Sequence, residues 1–373
     1  MADQLPFIDL AAQQQVLRTR IDEAIGRVLD HGTYILGPEV AELEVLLAHA
    51  AGRDQCISCA SGTDALQIFL MAKGVGPGDR IVVPDFTFVA TAEAIRLVGA
   101  EPIFADVDPH YYTLDPSSVR QAWELDGPAP VGIIAVDLFG HPARSAELSS
   151  IAAQTGGWVL VDGAQSFGAV RDGLSSLADG LASTTSFYPA KPLGGYGDGG
   201  AIFCDDEDLE LIMRSITTHG SGGQRYEHVR IGLNGRLDTI QAAILLVKLE
   251  IFADEVERRQ EVANRYTEAL EGLVDIPKVE LGCQSVWAQY TVQVDNRMAI
   301  RERLLNEGVP TAVFYPQPLH LAPAYRSHLV VPGGVPVTER ISGRVVSLPM
   351  HPYLGLAEQD RVTTALRKAM ASR

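Results

Sequence analysis

Short apolar runs alternate with segments of helical spacing between residues 80 and 203 of this 373-residue chain. The apolar runs have the character of buried strands and lie at residues 80–83, 102–105, 131–136, 158–161 and 201–203. Helical segments such as 90–98 and 146–155 separate neighbouring runs. Because strand–helix–strand alternation produces parallel strands joined by right-handed crossovers, the pattern predicts an α/β fold with a mostly parallel central sheet flanked by helices.

Two polar residues follow strand-like runs in this pattern. Asp162 comes directly after the run 158–161, and Lys191 lies between the run 181–187 and a turn with five glycines between residues 194 and 200. Ligands bind at the carboxyl ends of strands in open α/β sheets, and the Gly and Pro residues around Lys191 fix the direction of its side chain. A lysine that can form a Schiff base and a carboxylate that keeps a pyridinium nitrogen protonated are the minimum machinery for pyridoxal phosphate chemistry.

Two further features are expected at the same edge of the sheet. Ser61-Gly62-Thr63 opens a helical segment, where free backbone N–H groups, the helix dipole and a hydroxyl suit a phosphate group. The same three residues also make an ordinary helix cap. Phe88 falls at a strand-to-helix junction, where its flat ring could stack on a pyridine ring. The alternative for Phe88 is an aromatic of the core, packed under the helix.

Composition and charge exclude several classes of function. A net charge of −17 argues against a general nucleic-acid-binding protein. The pair Cys56-x-x-Cys59 lies in a strand-like run, so we expect reduced core thiols rather than a metal or redox site. No signal peptide opens the sequence and no stretch of about 18 apolar residues occurs in it. We therefore expect a cytoplasmic protein that has no membrane partner.

The length predicts one large domain followed by a smaller one. A helical pattern continues from residue 237 towards residue 269 and could carry the chain from the first domain to the second. We expect a large ligand-binding domain at residues 1–246 and a small C-terminal α+β domain at residues 247–373.

Several ordered motifs carry a family resemblance. They are Asp162-x-x-Gln165, Ser186-x-x-x-x-Lys191, the stretch from Ala60 to Leu66 and the stretch from Gly232 to Ala243. Together they resemble the sugar aminotransferases of the DegT/DnrJ/EryC1/StrS family, and the resemblance extends almost from end to end. It implies the fold of fold-type I pyridoxal phosphate-dependent aminotransferases, with pyridoxal phosphate as the cofactor and no metal.

The resemblance also implies roles for individual residues. Lys191 would carry the cofactor and move a proton at the substrate carbon, and Asp162 would hold the ring nitrogen protonated. The Gln165 amide would lie near the phenolic oxygen of the cofactor. The remaining cofactor contacts implied by the resemblance are Gly62, Thr63, Phe88, Ser186 and Asn234.

The segment Asn234-Gly-Arg236 resembles one that reaches the neighbouring subunit's site in the family. It implies a two-fold homodimer with shared active sites, in which Asn234 completes the phosphate cup. Without the resemblance, Asn234 would be a helix cap and Arg236 a surface ion pair. Substrate contacts are expected from Tyr34, His219, Arg236 and Tyr315, although Tyr34 could be a packed aromatic and His219 a structural residue.

The stretch 191–200 most resembles that of enzymes that use L-glutamate to aminate UDP-2-acetamido-2-deoxy-3-oxo-D-glucuronate for bacterial surface polysaccharide such as O-antigen. A dTDP-3-oxo-6-deoxyhexose aminotransferase remains open, because the two classes share the cofactor machinery. Phe314 stands where relatives often have His, which bears on the sugar. A non-enzymatic regulator of the same fold also remains open. Relatives that dehydrate sugars have His in place of the lysine, so Lys191 argues against that class.

Overall fold

The computed structural model describes residues 5–371. In chain order its strands are β1 (Gln55–Cys59), β2 (Arg80–Pro84), β3 (Glu101–Ala105), β4 (Gly132–Val136), β5 (Trp158–Asp162), β6 (Val170–Arg171), β7 (Leu174–Ser175), β8 (Ala182–Ser186), β9 (Gly200–Cys204), β10 (Cys283–Gln284), β11 (Tyr290–Gln293), β12 (Leu329–Val330) and β13 (Val345–Leu348). Its α-helices are α1 (Leu10–His31), α2 (Pro38–Ala51), α3 (Gly62–Ala72), α4 (Ala90–Leu97), α5 (Pro116–Arg120), α6 (Ser145–Ala152), α7 (Glu207–Thr217), α8 (Thr239–Leu249), α9 (Phe252–Leu270), α10 (Arg297–Asn306), α11 (Pro336–Ser342) and α12 (Leu356–Ala371).

The central sheet has eight strands in the order β1-β9-β8-β5-β4-β2-β3-β12. The strands from β8 to β12 in this order run parallel, and only β9 is antiparallel to its neighbours β8 and β1. The predicted mostly parallel sheet is therefore confirmed. The edge strand β12 was not expected. It has two residues and comes from the C-terminal part of the chain, and so short a strand leaves no periodic signal in the sequence.

Helices cover both faces of this sheet. Along β5, Leu160 packs into a cluster with side chains of α3, α4 and α7, whereas Val159 and Val161 pack against helices on the opposite face. Successive side chains of a strand point to opposite faces, so a strand covered on both sides must be apolar throughout. Because the two faces are occupied by helices, the carboxyl ends of the parallel strands are left as the edge where a ligand can bind.

The helical pattern from residue 237 forms two helices. The helix is interrupted at residues 250–251, between α8 and α9, where the Ile251 N–H donates to the Lys248 carbonyl (3.2 Å). Beyond the break, α9, α10 and α12 pack with β11 and β13 around a second apolar core. The expected boundary after residue 246 falls within α8, and it stays a prediction. None of the helices in residues 5–371 is long and apolar enough to cross a membrane.

Gly132 offers a test of the close packing between β4 and β5. A Cβ atom at Gly132 would lie 2.6 Å from three ring atoms of Trp158, whose ring is held edge-on by Phe69 at a centroid distance of 5.1 Å. We predict that Gly132→Ala lowers the free energy of unfolding by about 1–3 kcal/mol, because overpacking forces the ring to move. Gly76→Ala is the control, since its nearest neighbouring atom lies 3.9 Å away. Equal stability of both variants in denaturant titration would contradict the packing described.

Candidate active site

Asp162 lies at the carboxyl end of β5 in the middle of the sheet and is buried. Its Oδ2 accepts a hydrogen bond from Thr91 Oγ1 (2.8 Å), and its Oδ1 accepts one from the Ala164 N–H (3.2 Å). Burial raises the pKa of this carboxyl group, whereas the two hydrogen bonds and the charge of Lys191 act in the opposite direction. A nearby cation therefore favours the ionised form of Asp162.

Lys191 follows β8, and its backbone N–H donates to the Tyr188 carbonyl (2.8 Å) in a tight turn. Burial lowers the pKa of its ammonium group, and the negative charge of Asp162 partly offsets that effect. Within residues 5–371, no hydrogen-bond acceptor contacts Lys191 Nζ. A lysine with a lowered pKa supplies more of the neutral, nucleophilic amine near neutral pH.

Helix α8 supports the glycine-rich turn that follows Lys191. Gln241 Oε1 accepts a hydrogen bond from the Tyr196 N–H (2.8 Å). Lys248 Nζ donates to the Gly194 carbonyl (2.6 Å) and lies 4.4 Å from the centroid of the Tyr196 ring. Lys248 is 2% exposed, and burial lowers its pKa to about 8. Lys248 was not predicted as a site residue, although a lone lysine in an otherwise apolar helix is a usable signal.

The start of α3 is crowded against the end of β8. A Cβ atom at Gly62 would lie 2.7 Å from Ser186 Cβ, so only glycine allows this close approach. Ser61 is the N-cap, because its Oγ accepts from the Asp64 N–H (3.0 Å). The N–H groups of Gly62 and Thr63 have no acceptor within the helix. With the Ser186 hydroxyl, which lies close to Gly62, they form a donor-rich cradle that suits an anion.

Two aromatic side chains, those of Phe88 and Tyr315, lie at the same ligand edge of the sheet. Phe88 is 53% exposed, which does not fit a core aromatic, and its ring centroid lies 5.9 Å from that of Tyr315. Gln165 Nε2 donates to the Tyr315 hydroxyl (3.4 Å), and Gln165 Oε1 accepts from the Phe139 N–H (2.7 Å). Burial raises the pKa of the Tyr315 hydroxyl, which therefore stays protonated near neutral pH. An exposed ring beside a partly buried tyrosine gives a flat aromatic ligand a stacking surface.

The segment Asn234-Gly-Arg236 runs beside the residue that precedes the start of α3, because the Gly235 carbonyl accepts a hydrogen bond from the Ala60 N–H (3.1 Å). Asn234 pairs with Thr218 in an isolated β-bridge, and Arg236 Nη2 donates to Asn234 Oδ1. In the described part of the chain no carboxylate pairs with Arg236, and its buried Nε has no hydrogen-bond partner. The side chains of His219 and Tyr34 are exposed. No hydrogen bond or ring contact within residues 5–371 joins these side chains to those around Lys191 and Asp162.

The structure does not fit the alternative roles considered above for Asn234, Arg236 and Tyr34. The N-cap of α8 is Asp238, so Asn234 does not cap that helix. Arg236 contacts an amide oxygen rather than a carboxylate, so it is not the surface ion pair considered above. Tyr34 is 49% exposed, so it is not a packed aromatic.

The same strand-end rule that identified Asp162 also applies to three buried carboxylates that were not predicted, namely Asp85, Asp106 and Asp137. Asp137 follows β4, accepts from Ser166 Oγ (2.7 Å) and the Ala143 N–H (2.7 Å), and has its pKa raised to about 7 by burial. Asp85 follows β2 and is fully buried. Among residues 5–371, no group of three or more His, Cys, Asp or Glu side chains is arranged to hold a metal ion.

Solved structures share this fold over nearly the whole chain. A DegT DnrJ EryC1 StrS aminotransferase from Brucella abortus superposes with a TM-score of 0.97, at 47% identity, and covers 99% of this chain and 100% of its own. NtdA from Bacillus subtilis, solved with the cofactor PMP bound, gives a TM-score of 0.90 at 28% identity, covering 99% of this chain and 86% of its own. The predicted fold-type I aminotransferase architecture is confirmed.

Curated relatives match the chain over a similar extent. The UDP-2-acetamido-2-deoxy-3-oxo-D-glucuronate aminotransferase of Pseudomonas aeruginosa is 48% identical over 363 residues, which are 97% of this chain and 99% of that protein. The erythromycin biosynthesis sensory transduction protein EryC1 of Saccharopolyspora erythraea is 39% identical over 365 residues, with coverage of 97% and 99%. A family model for DegT/DnrJ/EryC1/StrS aminotransferases matches residues 15–367, and the chain belongs to that family.

Proposed function

We propose that this protein is a pyridoxal phosphate-dependent aminotransferase that moves the amino group of L-glutamate to a nucleotide-linked 3-oxo sugar. The observation that carries the proposal is the convergence of Lys191 and Asp162 at one edge of the sheet. The donor-rich cradle at Gly62 and Ser186 and the exposed ring of Phe88 fit the phosphate and the ring of the cofactor.

Each residue then has a defined task. The bound cofactor supplies an electron-accepting ring that stabilises negative charge on the substrate carbon. The N–H groups of Gly62 and Thr63 and the Ser186 hydroxyl bind the phosphate. The Asp162 carboxylate holds the proton at the ring nitrogen, because pairing with that cation offsets the cost of burying its own charge. Lys191 Nζ takes up and returns the proton at the amine-bearing carbon.

For the sugar, we propose UDP-2-acetamido-2-deoxy-3-oxo-D-glucuronate, the substrate named for the relative from Pseudomonas aeruginosa. A uronate carries a C6 carboxylate that needs a cation. Arg236 supports this choice, because it is partly buried and no carboxylate in the described part of the chain neutralises it. A guanidinium can bind a carboxylate through two parallel hydrogen bonds. Tyr34, His219 and Tyr315 are the further substrate contacts in this proposal.

The product would be a 2,3-diamino uronic sugar for bacterial surface polysaccharide such as O-antigen, made in the cytoplasm. A dTDP-3-oxo-6-deoxyhexose remains the second candidate substrate, because the two classes share the cofactor machinery and Phe314 stands where relatives acting on nucleotide sugars often have His. A regulator without activity is the third candidate, and the name of the Saccharopolyspora erythraea relative keeps it open. The sequence contains all the residues expected to contact the cofactor, Lys191 included, and this favours an enzyme.

The choice of sugar can be tested by comparing UDP-linked 3-oxo-uronate with dTDP-linked 3-oxo-6-deoxyhexose, or by running the reverse reaction from the stable amino sugars. We expect the uronate to be preferred. Arg236→Met should weaken uronate binding by about one to two orders of magnitude, because a charge-assisted hydrogen bond is worth roughly 1.5–3 kcal/mol. Arg326→Met, at an exposed arginine whose Nε contacts only a backbone carbonyl, is the control. Preference for the 6-deoxy sugar would refute the uronate assignment and leave the aminotransferase assignment intact.

We further propose a homodimer in which Asn234 and Arg236 complete the neighbouring subunit's site. Large apolar side chains shortly before both residues in the chain are exposed, Tyr226 and Ile231 among them, the latter 84% exposed. Large apolar side chains exposed to this degree are typical of a segment that another chain covers. Closed two-fold symmetry would then place each Asn234 at the partner's phosphate cradle.

Subunit mixing tests the shared site. Lys191→Ala and Asn234→Asp should each abolish or greatly reduce activity, the second because it places a carboxylate against the phosphate. After subunit exchange, a mixture of the two variants should recover part of the activity, since one site per heterodimer combines Lys191 of one chain with Asn234 of the other. Lys191→Ala mixed with Asp162→Asn is the matched control and should recover none. Absence of recovery in the first mixture, with exchange verified, would place Asn234 in the same site as Lys191 of its own chain.

A further inference from the structure

Asp85 anchors a distant segment of the chain to the ligand edge of the sheet. Its Oδ1 accepts from the His320 backbone N–H (2.8 Å), and its Oδ2 lies 2.7 Å from His320 Nδ1, which donates because an ionised carboxylate only accepts. The Asp85 backbone carbonyl accepts a third hydrogen bond from the Leu319 N–H (3.1 Å). Glu339 Oε1 lies 3.5 Å from His320 Nε2 on the other side of the imidazole ring.

The anchored segment leads directly to Tyr315. The intervening sequence contains Pro316 and Pro318, which fix their own φ angles and leave few freely rotating bonds between Tyr315 and His320. On the other side, Phe88 follows Asp85 by three residues, and its ring centroid lies 5.9 Å from that of Tyr315. The buried Asp85 carboxylate therefore links the short segment that carries Phe88 to the short segment that carries Tyr315.

Asp106 provides a comparison of like chemistry on the neighbouring strand. It follows β3 and accepts hydrogen bonds from the Val337 N–H, the Thr338 N–H and Thr338 Oγ1, each at 2.8 Å. It thus ties α11 to the sheet, as Asp85 ties the segment around His320. However, α11 carries none of the residues assigned to the active site and meets Tyr315 through apolar packing of Val337 and Ile341, whereas the His320 segment leads to Tyr315 along the chain.

We propose that Asp85 and His320 are positioning residues that hold Tyr315 against Phe88 and thereby set the width of the space that the ligand ring enters. The Tyr315 hydroxyl contacts Gln165 Nε2 (3.4 Å), so a displaced Tyr315 also releases the Gln165 amide. This inference rests on the proposed function in one respect, because the ligand ring between Tyr315 and Phe88 is taken to be the pyridine ring of the cofactor.

A double-mutant cycle between Asp85 and Tyr315 tests the inference. Asp85→Asn should weaken the affinity of the cofactor-free protein for pyridoxamine phosphate by about tenfold, and slow the half-reaction with L-glutamate by a similar factor. Tyr315→Leu removes the ring that Asp85 is proposed to position. In the Tyr315→Leu background, Asp85→Asn should therefore change both quantities less than about twofold. Affinity is read from fluorescence titration, and the half-reaction from the visible spectrum.

Two matched comparisons separate positioning from general stability. Asp106→Asn should lower the thermal midpoint as Asp85→Asn does, but without the tenfold losses, because α11 meets the cluster of Tyr315 through apolar packing rather than by anchoring the segment that carries Tyr315. His320→Asn keeps a donor near the position of Nδ1 and should behave nearly as the wild type. His320→Leu removes that donor and should reproduce the losses of Asp85→Asn. The histidine pair keeps the test informative if Asp85→Asn does not fold.

The outcomes separate the two proposals. If the wild type binds pyridoxamine phosphate and reacts with L-glutamate, but the losses at Asp85 are additive with those at Tyr315 or match those at Asp106, the positioning role is refuted and the proposed function stands. If the wild type neither binds pyridoxamine phosphate nor reacts, the proposed function fails and the positioning role fails with it. Coupled losses confined to Asp85 and His320 support the positioning role.

Discussion

A carboxylate buried at the end of a central strand needs a positive partner, and much of this structure serves to supply one at Asp162. Within residues 5–371, two hydrogen bonds from neutral donors, those of Thr91 and Ala164, reach the Asp162 side chain, and burial still raises its pKa. Lys191 contributes positive charge from the turn that follows the adjacent strand β8. A pyridinium nitrogen would supply a further cation, which makes this edge of the sheet suited to that cofactor.

The direction of Lys191 depends in turn on helix α8. Gln241 and Lys248 bind the turn that follows Lys191, while Thr239 of the same helix binds the loop at Tyr34 through its N–H (2.9 Å) and its hydroxyl. Close approach, rather than backbone freedom alone, explains the glycines in that turn, because Cβ atoms at residues 195 and 197 would meet the Gln241 side chain at 2.9–3.0 Å. One helix therefore fixes the reactive lysine relative to the loop proposed to border the substrate.

Residues that follow apolar strands were accessible from the sequence, because a strand covered by helices on both faces is apolar and ends visibly at its first polar residue. Asp162, Lys191 and the mostly parallel sheet were predicted on that basis. Asp85 obeys the same rule and Lys248 is a lone lysine in an otherwise apolar helix, but the roles of both, and of His320, depend on contacts between segments far apart in the chain. The edge strand β12 was missed because two residues carry no period, and the exact position of the break between α8 and α9 was not readable because the helical spacing continues across it.

The central claim is that Lys191, rather than the buried Lys248 that contacts the same turn, holds pyridoxal phosphate. Reduction of the cofactor-loaded protein with borohydride, followed by proteolysis and mass spectrometry of the peptides, measures this directly. The structure predicts one stable pyridoxyl group per chain, attached to Lys191, because Lys248 Nζ is held by the Gly194 carbonyl and is 2% exposed. Attachment to Lys248, or no attachment after incubation with pyridoxal phosphate, would contradict the account.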